Sequence, residues 1–199
     1  MTEPEPDEPD WRQRKKAATR DRIRACALRL FLEQGYDATT VEQIAAAAGV
    51  SHMTFFRYFP AKEDVALSDS YDPLIARLLE QTPAAWPLLE RIRAALLQGL
   101  ARVYETDRDT LLAQNKLIAA TPALRDRLWA DQIATQQLFL QALGGDGGGD
   151  HRPTLPTRVT VAACLAAAST AILAWVENDG TPELPELIDQ AFAALAHPG

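Results

Sequence analysis

The chain has 199 residues, 47% of them hydrophobic, and a formal net charge of −7. That is enough apolar material for one or two folded domains and excludes a chain too polar to fold. Its two cysteines and three histidines are scattered, which excludes a disulfide framework and gives no metal-ligand spacing, so neither metal nor cofactor is expected.

Ala, Leu, Arg, Gln and Glu dominate and β-branched runs are rare, so the predicted fold class is all-α, with about nine helices. Residues 1–10, MTEPEPDEPD, alternate proline and acid and offer nothing to bury. They read as a disordered acidic tail, and they lack the apolar stretch of a signal peptide, consistent with a cytoplasmic protein. RQRKK (12–16) opens a basic run. Ile23, Ala27, Leu30 and Phe31 then recur at i, i+4, i+7 and i+8, the spacing of an amphipathic helix, and Gly35 is placed to end it.

Thr39 and Glu42 fit a capping box at the start of the next helix, VEQIAAAAG. Val41, Ile44, Ala45 and Ala48 share its apolar face. Gly49 supplies a left-handed turn residue, Val50 is expected to pin the turn into the core, and Ser51 caps a third helix running to about Phe59. The unit is helix, tight glycine turn, helix.

The segment GVSHMTFFRYF (49–59) holds three of the six phenylalanines and one of the four tyrosines. Phe55 and Phe59 lie four apart on one face and are assigned to the core, against Ile44, Val50 and Leu30. His52, Met53, Phe56 and Arg57 then point outward. A helix entering the major groove needs this division, with reading residues near its N-terminal end. Ser51, Thr54 and Tyr58 offer hydroxyls to phosphates, which fix register without reading sequence. Charge agrees: residues 11–62 carry ten Lys/Arg against four Asp/Glu, while residues 63–199 carry ten against eighteen. A basic third on an acidic body is the asymmetry of a DNA-binding module joined to a domain that does not touch DNA.

After Pro60, AKEDVALSDSYDPLIARLLEQ (61–81) reads as a fourth helix bent near Pro73. Further helices are expected at 86–106, 108–120, 122–143, 156–178 and 183–196, with Pro122 and Pro182 at helix starts. GGDGGGDHRPTLPT (144–157) reads as a flexible linker and lacks the spacing of a phosphate-binding fingerprint. The uncharged stretch between Arg158 and Glu177 is rich in Ala, Ser and Thr, so it reads as a buried or interface helix and not as a membrane span. Cys26 and Cys164 read as small buried thiols.

Trp86, Leu97, Leu117, Trp129, Phe139 and Trp175 are candidate linings of an apolar ligand pocket between bundle helices. Arg125 and Arg127 could meet an anionic ligand at its mouth. The last two helices, carrying ACLAAASTAILAWV (163–176) and AFAALA (191–196), are expected to build a four-helix dimer interface. No nucleophile elbow and no HExxH motif occurs, so an enzyme is not expected.

The stretch TTVEQIAAAAGVSHMTFFRYFPAKEDV (39–65), following a first helix that ends in ALRLFLEQGYDATT, resembles the helix-turn-helix of the TetR family of bacterial transcriptional regulators. The resemblance covers residues 16–66. It implies a homodimer on a double-stranded, inverted-repeat operator, with an all-helical C-terminal domain for effector and dimerisation. Carried over by position, His52, Met53 and Arg57 reach base edges, while Thr40, Ser51, Thr54, Tyr58 and Lys62 contact phosphates. Phe56 stands where the family often has Tyr; it lacks that hydroxyl and is suited to a thymine methyl. Arg14, Lys15, Lys16 and Arg20 are similar to basic arms that reach the neighbouring groove or backbone.

LLAQNKLIAATPALRDRLWADQ (111–132) is similar to a mycofactocin-type subfamily, which implies a small apolar or fatty acyl thioester effector. The expected organisation is a tail at 1–11, a DNA-binding domain at 12–60 and a ligand-binding and dimerisation domain at 61–199. The expected function is a ligand-responsive regulator, most often a repressor in this family. The alternative is an architectural or activator protein without an effector.

Overall fold

The computed structural model describes residues 11–67, 71–144 and 153–197. Among them are nine α-helices: α1 (Trp11–Gln34), α2 (Val41–Ala47), α3 (His52–Tyr58), α4 (Lys62–Leu67), α5 (Tyr71–Glu80), α6 (Leu88–Ala120), α7 (Pro122–Gly144), α8 (Leu155–Glu177) and α9 (Leu184–Ala196). The chain divides into two compact units, one ending at Ser68 and the other beginning at Asp69. The first runs past Pro60 because α4 packs against α1 and buries Val65 and Ala66. The acidic tail and most of the glycine-rich linker lie outside the described residues.

In the first unit α1 packs against α2 and α4, and α2 against α3. Ile23, Ala27 and Phe31 of α1 close on Ile44, Ala45, Phe55 and Phe59, all at most 3% exposed. Leu30 and Val41 are only half-buried at the margin of this core. The cap of α2 differs from expectation by one residue. Thr40, not Thr39, is the N-cap: its hydroxyl accepts from the Gln43 backbone N–H, and the Gln43 side chain accepts from the Thr40 backbone N–H. Thr39 is instead buried, its hydroxyl donating to the Gly35 carbonyl (2.8 Å).

Gly49 has φ +64°, a backbone that a side chain strains, and it lets the Val50 N–H reach the Ala45 carbonyl at 2.9 Å. Ser51 then caps α3, accepting from the Thr54 N–H at 3.1 Å. Val50 is half-buried and not a core residue.

The predicted fourth helix is two helices, α4 and α5, either side of residues 68–70. Pro73 falls in the first turn of α5, where a missing N–H breaks no helical bond, so it marks the start of α5 and not a bend within it.

In the second unit α6 runs through the bundle, touching α5, α7, α8 and α9. Leu79, Ile92, Ala95, Phe139, Val161 and Trp175 are fully buried in its core. Gly99 lets α5 approach α6: a Cβ there would lie 2.7 Å from Ile75 Cγ1. The helices expected at 86–106 and 108–120 are the two halves of α6, divided by Asp107 with φ −141° and ψ 23°.

Around that break a latch ties α6 to the turn before α9. Arg108 donates to Glu183 (3.1 Å) and to the Gly180 carbonyl (2.9 Å), Tyr104 donates to Glu183, and the Leu184 N–H donates to the Tyr104 oxygen (3.2 Å). Pro185, not Pro182, stands in the first turn of α9; Pro182 lies in the preceding turn, after a cis bond from Thr181.

By length and composition α8 is apolar enough to cross a membrane. It packs instead against α6, α7 and α9, burying Val161, Cys164, Leu165, Ala168, Ala171 and Trp175 along one face. Burial pushes the Cys164 thiol up to about 11, so it stays protonated. Cys26 is half-buried, more open than expected.

Candidate nucleic-acid interface

A helix of seven residues can show only two faces, and α3 divides them sharply. Phe55 and Phe59 are buried, with ring centroids 5.9 Å apart. Met53 is 84% exposed and Phe56 41%; His52 and Arg57 are exposed beside them. Burying the two phenylalanines therefore fixes which four side chains face outward.

The exposed side chains are oriented by neighbours. His52 Nε2 lies 3.2 Å from Glu42 Oε1 on α2, and its ring meets the Phe56 ring edge-on at 4.8 Å. The Glu42 carboxyl is held below the usual range by its own backbone N–H and the Thr40 hydroxyl, with His52 a smaller contributor, so it stays an anion that orients the imidazole. The Ser51 and Thr54 hydroxyls lie 2.9 Å apart. Each can also meet a phosphate oxygen.

Beside α3 the N-terminal half of α1 forms a surface concavity of about 360 Å³. Arg12, Lys15, Lys16, Arg22 and Arg57 line it together with Trp11, Thr19, Val50, Thr54 and Tyr58; no carboxylate is among them. Five cations around one hollow make a focused positive field suited to a polyanion. The basic arm is thus not an extended strand of chain but the first turns of α1. Trp11, Arg12, Thr19 and Arg22 were missed in the sequence. Their spacing with Lys15 and Lys16 (12, 15, 16, 19, 22) is that of one helix face, a signal overlooked because the run was read as a basic arm.

Two cations expected at DNA also hold positions within the first unit. Lys62 Nζ donates to the carbonyls of Tyr36 (2.9 Å) and Thr39 (3.0 Å) and sits 4.0 Å from the Tyr36 ring centre. It closes the α1–α2 loop with two of the three hydrogens of its ammonium group. Arg20 lies 4.7 Å over the Phe59 ring and within 3.5 Å of the Tyr58 carbonyl, at the C-terminal end of α3, where a cation complements the helix dipole.

The candidate effector residues do not converge. Trp86 is 49% exposed in the loop before α6, whereas Phe139 and Trp175 are sealed in the core. Leu97 is packed at the core's edge and Leu117 is half-buried, both on α6; the Trp129 side chain lies outside the described residues. Arg125 and Arg127 are exposed on α7. Among the described residues no group of three or more His, Cys, Asp or Glu could hold a metal ion.

A glycine-turned helix pair, showing the N-terminal face of its second helix beside five cations, defines a helix-turn-helix DNA-binding protein. The family model for bacterial regulatory proteins of the tetR type matches residues 23–68, and the model for the MftR C-terminal domain matches residues 86–198. The chain belongs to the TetR family of transcriptional regulators, with a C-terminal domain of the MftR type.

It is 40% identical over 126 residues to the transcriptional regulator TcmR of Streptomyces glaucescens, covering 60% of this chain and 56% of TcmR, little more than half that protein's length. It is 25% identical to the putative mycofactocin biosynthesis regulator MftR of Mycobacterium tuberculosis over 90% of both chains. Thermus thermophilus FadR, a TetR-family repressor crystallised with lauroyl-CoA, is 26% identical with a TM-score of 0.53, covering 89% of this chain and 93% of FadR. These relatives are regulators and not enzymes. Regulators of this family bind DNA operators as dimers and respond to small-molecule effectors.

Proposed function

We propose that this chain is a cytoplasmic repressor that binds a near-palindromic operator as a homodimer and releases it on binding a fatty acyl thioester. One observation carries the reading: the outward face of α3 adjoins five cations on a hollow without carboxylates. His52, Met53, Phe56 and Arg57 are assigned to base edges, Phe56 to a thymine methyl. Thr40, Ser51, Thr54, Tyr58, Lys15 and Lys16 are assigned to phosphates. The division into domains follows the two compact units, with DNA contacts in the first and effector and dimer contacts in the second.

The dimer face is assigned to α8 and α9. Leu155, Val159, Ala162, Ala166, Ser169, Thr170 and Leu173 form a continuous exposed stripe at helical spacing on α8, opposite its buried face. The effector is assigned to the C-terminal half of α6. From Leu111 to Ala119 every residue is half-buried except the buried Gln114, a helix neither sealed in core nor open to water. The lauroyl-CoA complex of FadR supports the acyl class. A ligand binding one arrangement of the dimer more tightly shifts the population away from the DNA-competent one.

The test is fluorescence anisotropy of a labelled duplex from the DNA upstream of the coding region, at two salt concentrations. Sequence-selective binding that weakens with salt and is released by lauroyl-CoA supports the proposal. Selective binding insensitive to acyl thioesters and free fatty acids removes the effector class. Binding without selectivity removes the operator.

A further inference from the structure

The α1–α3 concavity holds one group that a purely electrostatic surface does not need. Trp11 is 62% exposed at the start of α1, whereas Tyr58, the other aromatic of the lining, is half-buried. Trp11, Lys15, Thr19 and Arg22 recur at i, i+4, i+8 and i+11, so the indole shares one helix face with the cations. Lys15 Nζ lies 5.7 Å from the ring centre and the Arg12 guanidinium 6.0 Å. Cations on the surface hold this ring, not an apolar core, and more than half of it stays open.

We propose that Trp11 lays its indole on a deoxyribose of the DNA strand that borders the groove holding α3, beside phosphates bound by Arg12 and Lys15. The inference rests on the DNA-binding reading of the concavity. A duplex strand alternates anionic phosphate with the carbon face of a sugar. Phosphates recur every ~3.4 Å of axis along one strand, so cations that take neighbouring phosphates bring the side chains beside them against the sugars that join them. A hydrated ammonium or guanidinium head gains little from that carbon face. An indole gains more, because its apolar area leaves water there. The contact forms on any sequence, since every nucleotide carries the same sugar. Trp11 therefore adds affinity that salt does not screen to a surface whose remaining affinity is ionic.

The test is fluorescence anisotropy with Trp11→Ala, Trp11→Phe and Lys15→Gln in the full chain, on duplex from the DNA upstream of the coding region and on unrelated duplex, across a range of salt. Trp11→Ala should weaken both duplexes by about tenfold, the cost of truncating an aromatic contact. The ratio of the two affinities and the slope of log affinity against log salt should not change. Trp11→Phe should recover part of the loss. Lys15→Gln should instead flatten the slope by about one unit. If Trp11→Ala flattens it too, the indole acts only by holding Lys15, and the proposal is overturned. A loss confined to the upstream duplex puts the indole on a base and overturns the sugar assignment.

Fluorine NMR of the chain labelled with 5-fluorotryptophan reads the contact directly. The chain has four tryptophans, and Trp11→Phe identifies the signal of Trp11. Adding duplex should move that signal; a signal unmoved at salt where the duplex is bound overturns the proposal. If the unaltered chain binds no duplex, the DNA reading fails and the contact with it. Duplex binding untouched by Trp11→Ala removes the contact alone.

Discussion

The two units leave opposite chemistries uncovered. Among the described residues the first hides eleven apolar ones and shows cations around a hollow. The second shows an apolar stripe along α8, with Leu155 73%, Val159 57% and Leu173 49% exposed. One surface suits a polyanion and weakens with salt; the other suits a second apolar surface and is insensitive to salt. Two interfaces of such different physics can be broken separately, and the largest effect comes from doing so. Ala166→Glu with Leu173→Glu places charge in the α8 stripe and should leave a monomer in sedimentation velocity. Operator affinity should fall by a factor on the order of 10²–10⁴, the loss of the second half-site's linkage. A variant that remains dimeric would move the dimer face off α8.

The cores are broken next. Phe55→Ala should cost about 3–5 kcal/mol, confined to the first unit. Hydrogen exchange should speed in α1–α4 while α8 and α9 keep their protection and the dimer persists. Equal loss of protection in both units would mean that they unfold as one and that the comparison does not hold.

How far each unit was legible in the sequence follows from the same contrast. In the first, every local signal is tied to backbone geometry: Gly49 to a left-handed turn, Ser51 to a cap, Phe55 and Phe59 to one buried face. The errors there are choices between neighbours of equal chemistry. Thr39 and Thr40 can both cap; the fold uses Thr40 because Thr39 is the one that turns inward to the Gly35 carbonyl. That Lys62 also donates to the carbonyls of Tyr36 and Thr39, distant in sequence, is not legible from the residues around it.

In the second unit the helices were legible and the break at Asp107 was placed to the residue. The buried set was not. A helix such as α8, apolar on both faces, does not declare which face is core and which awaits a partner. For the same reason Phe139 and Trp175 stood among the candidate pocket linings, although the bundle seals them.

Arg57 and Lys62 turn that lesson into a measurement. Arg57→Ala should weaken operator binding by about 1–3 kcal/mol with little change in melting temperature, as for an exposed base contact. Lys62→Ala should do the reverse, lowering the melting temperature while leaving the salt dependence of DNA binding unchanged. A flatter salt dependence for Lys62→Ala, by roughly one unit, would return it to the phosphates.

The smallest expected effect tests the latch of the second unit. The Glu183 carboxyl is held below its usual range by Arg108 first and by Tyr104 second. A carboxylate with a depressed folded-state pKa contributes stability above its unfolded value, and loses it as pH falls through the folded one. Glu183→Gln should therefore destabilise at neutral pH, and the gap to the unaltered chain should close as the pH drops below about 4, the unfolded value for Glu.

Asp72 carries the opposite sign. Burial raises its pKa, although the Thr135 hydroxyl donates to it, so Asp72 contributes stability below its unfolded value that is lost as pH rises through the folded one. Asp72→Asn should accordingly be tolerated best at neutral pH and worst in acid. Melting curves of both variants at pH 4 and pH 7 decide it. If the two gaps vary with pH in the same direction, unfolded-state charge sets the trend, and the Arg108–Glu183 latch contributes nothing specific to the second unit.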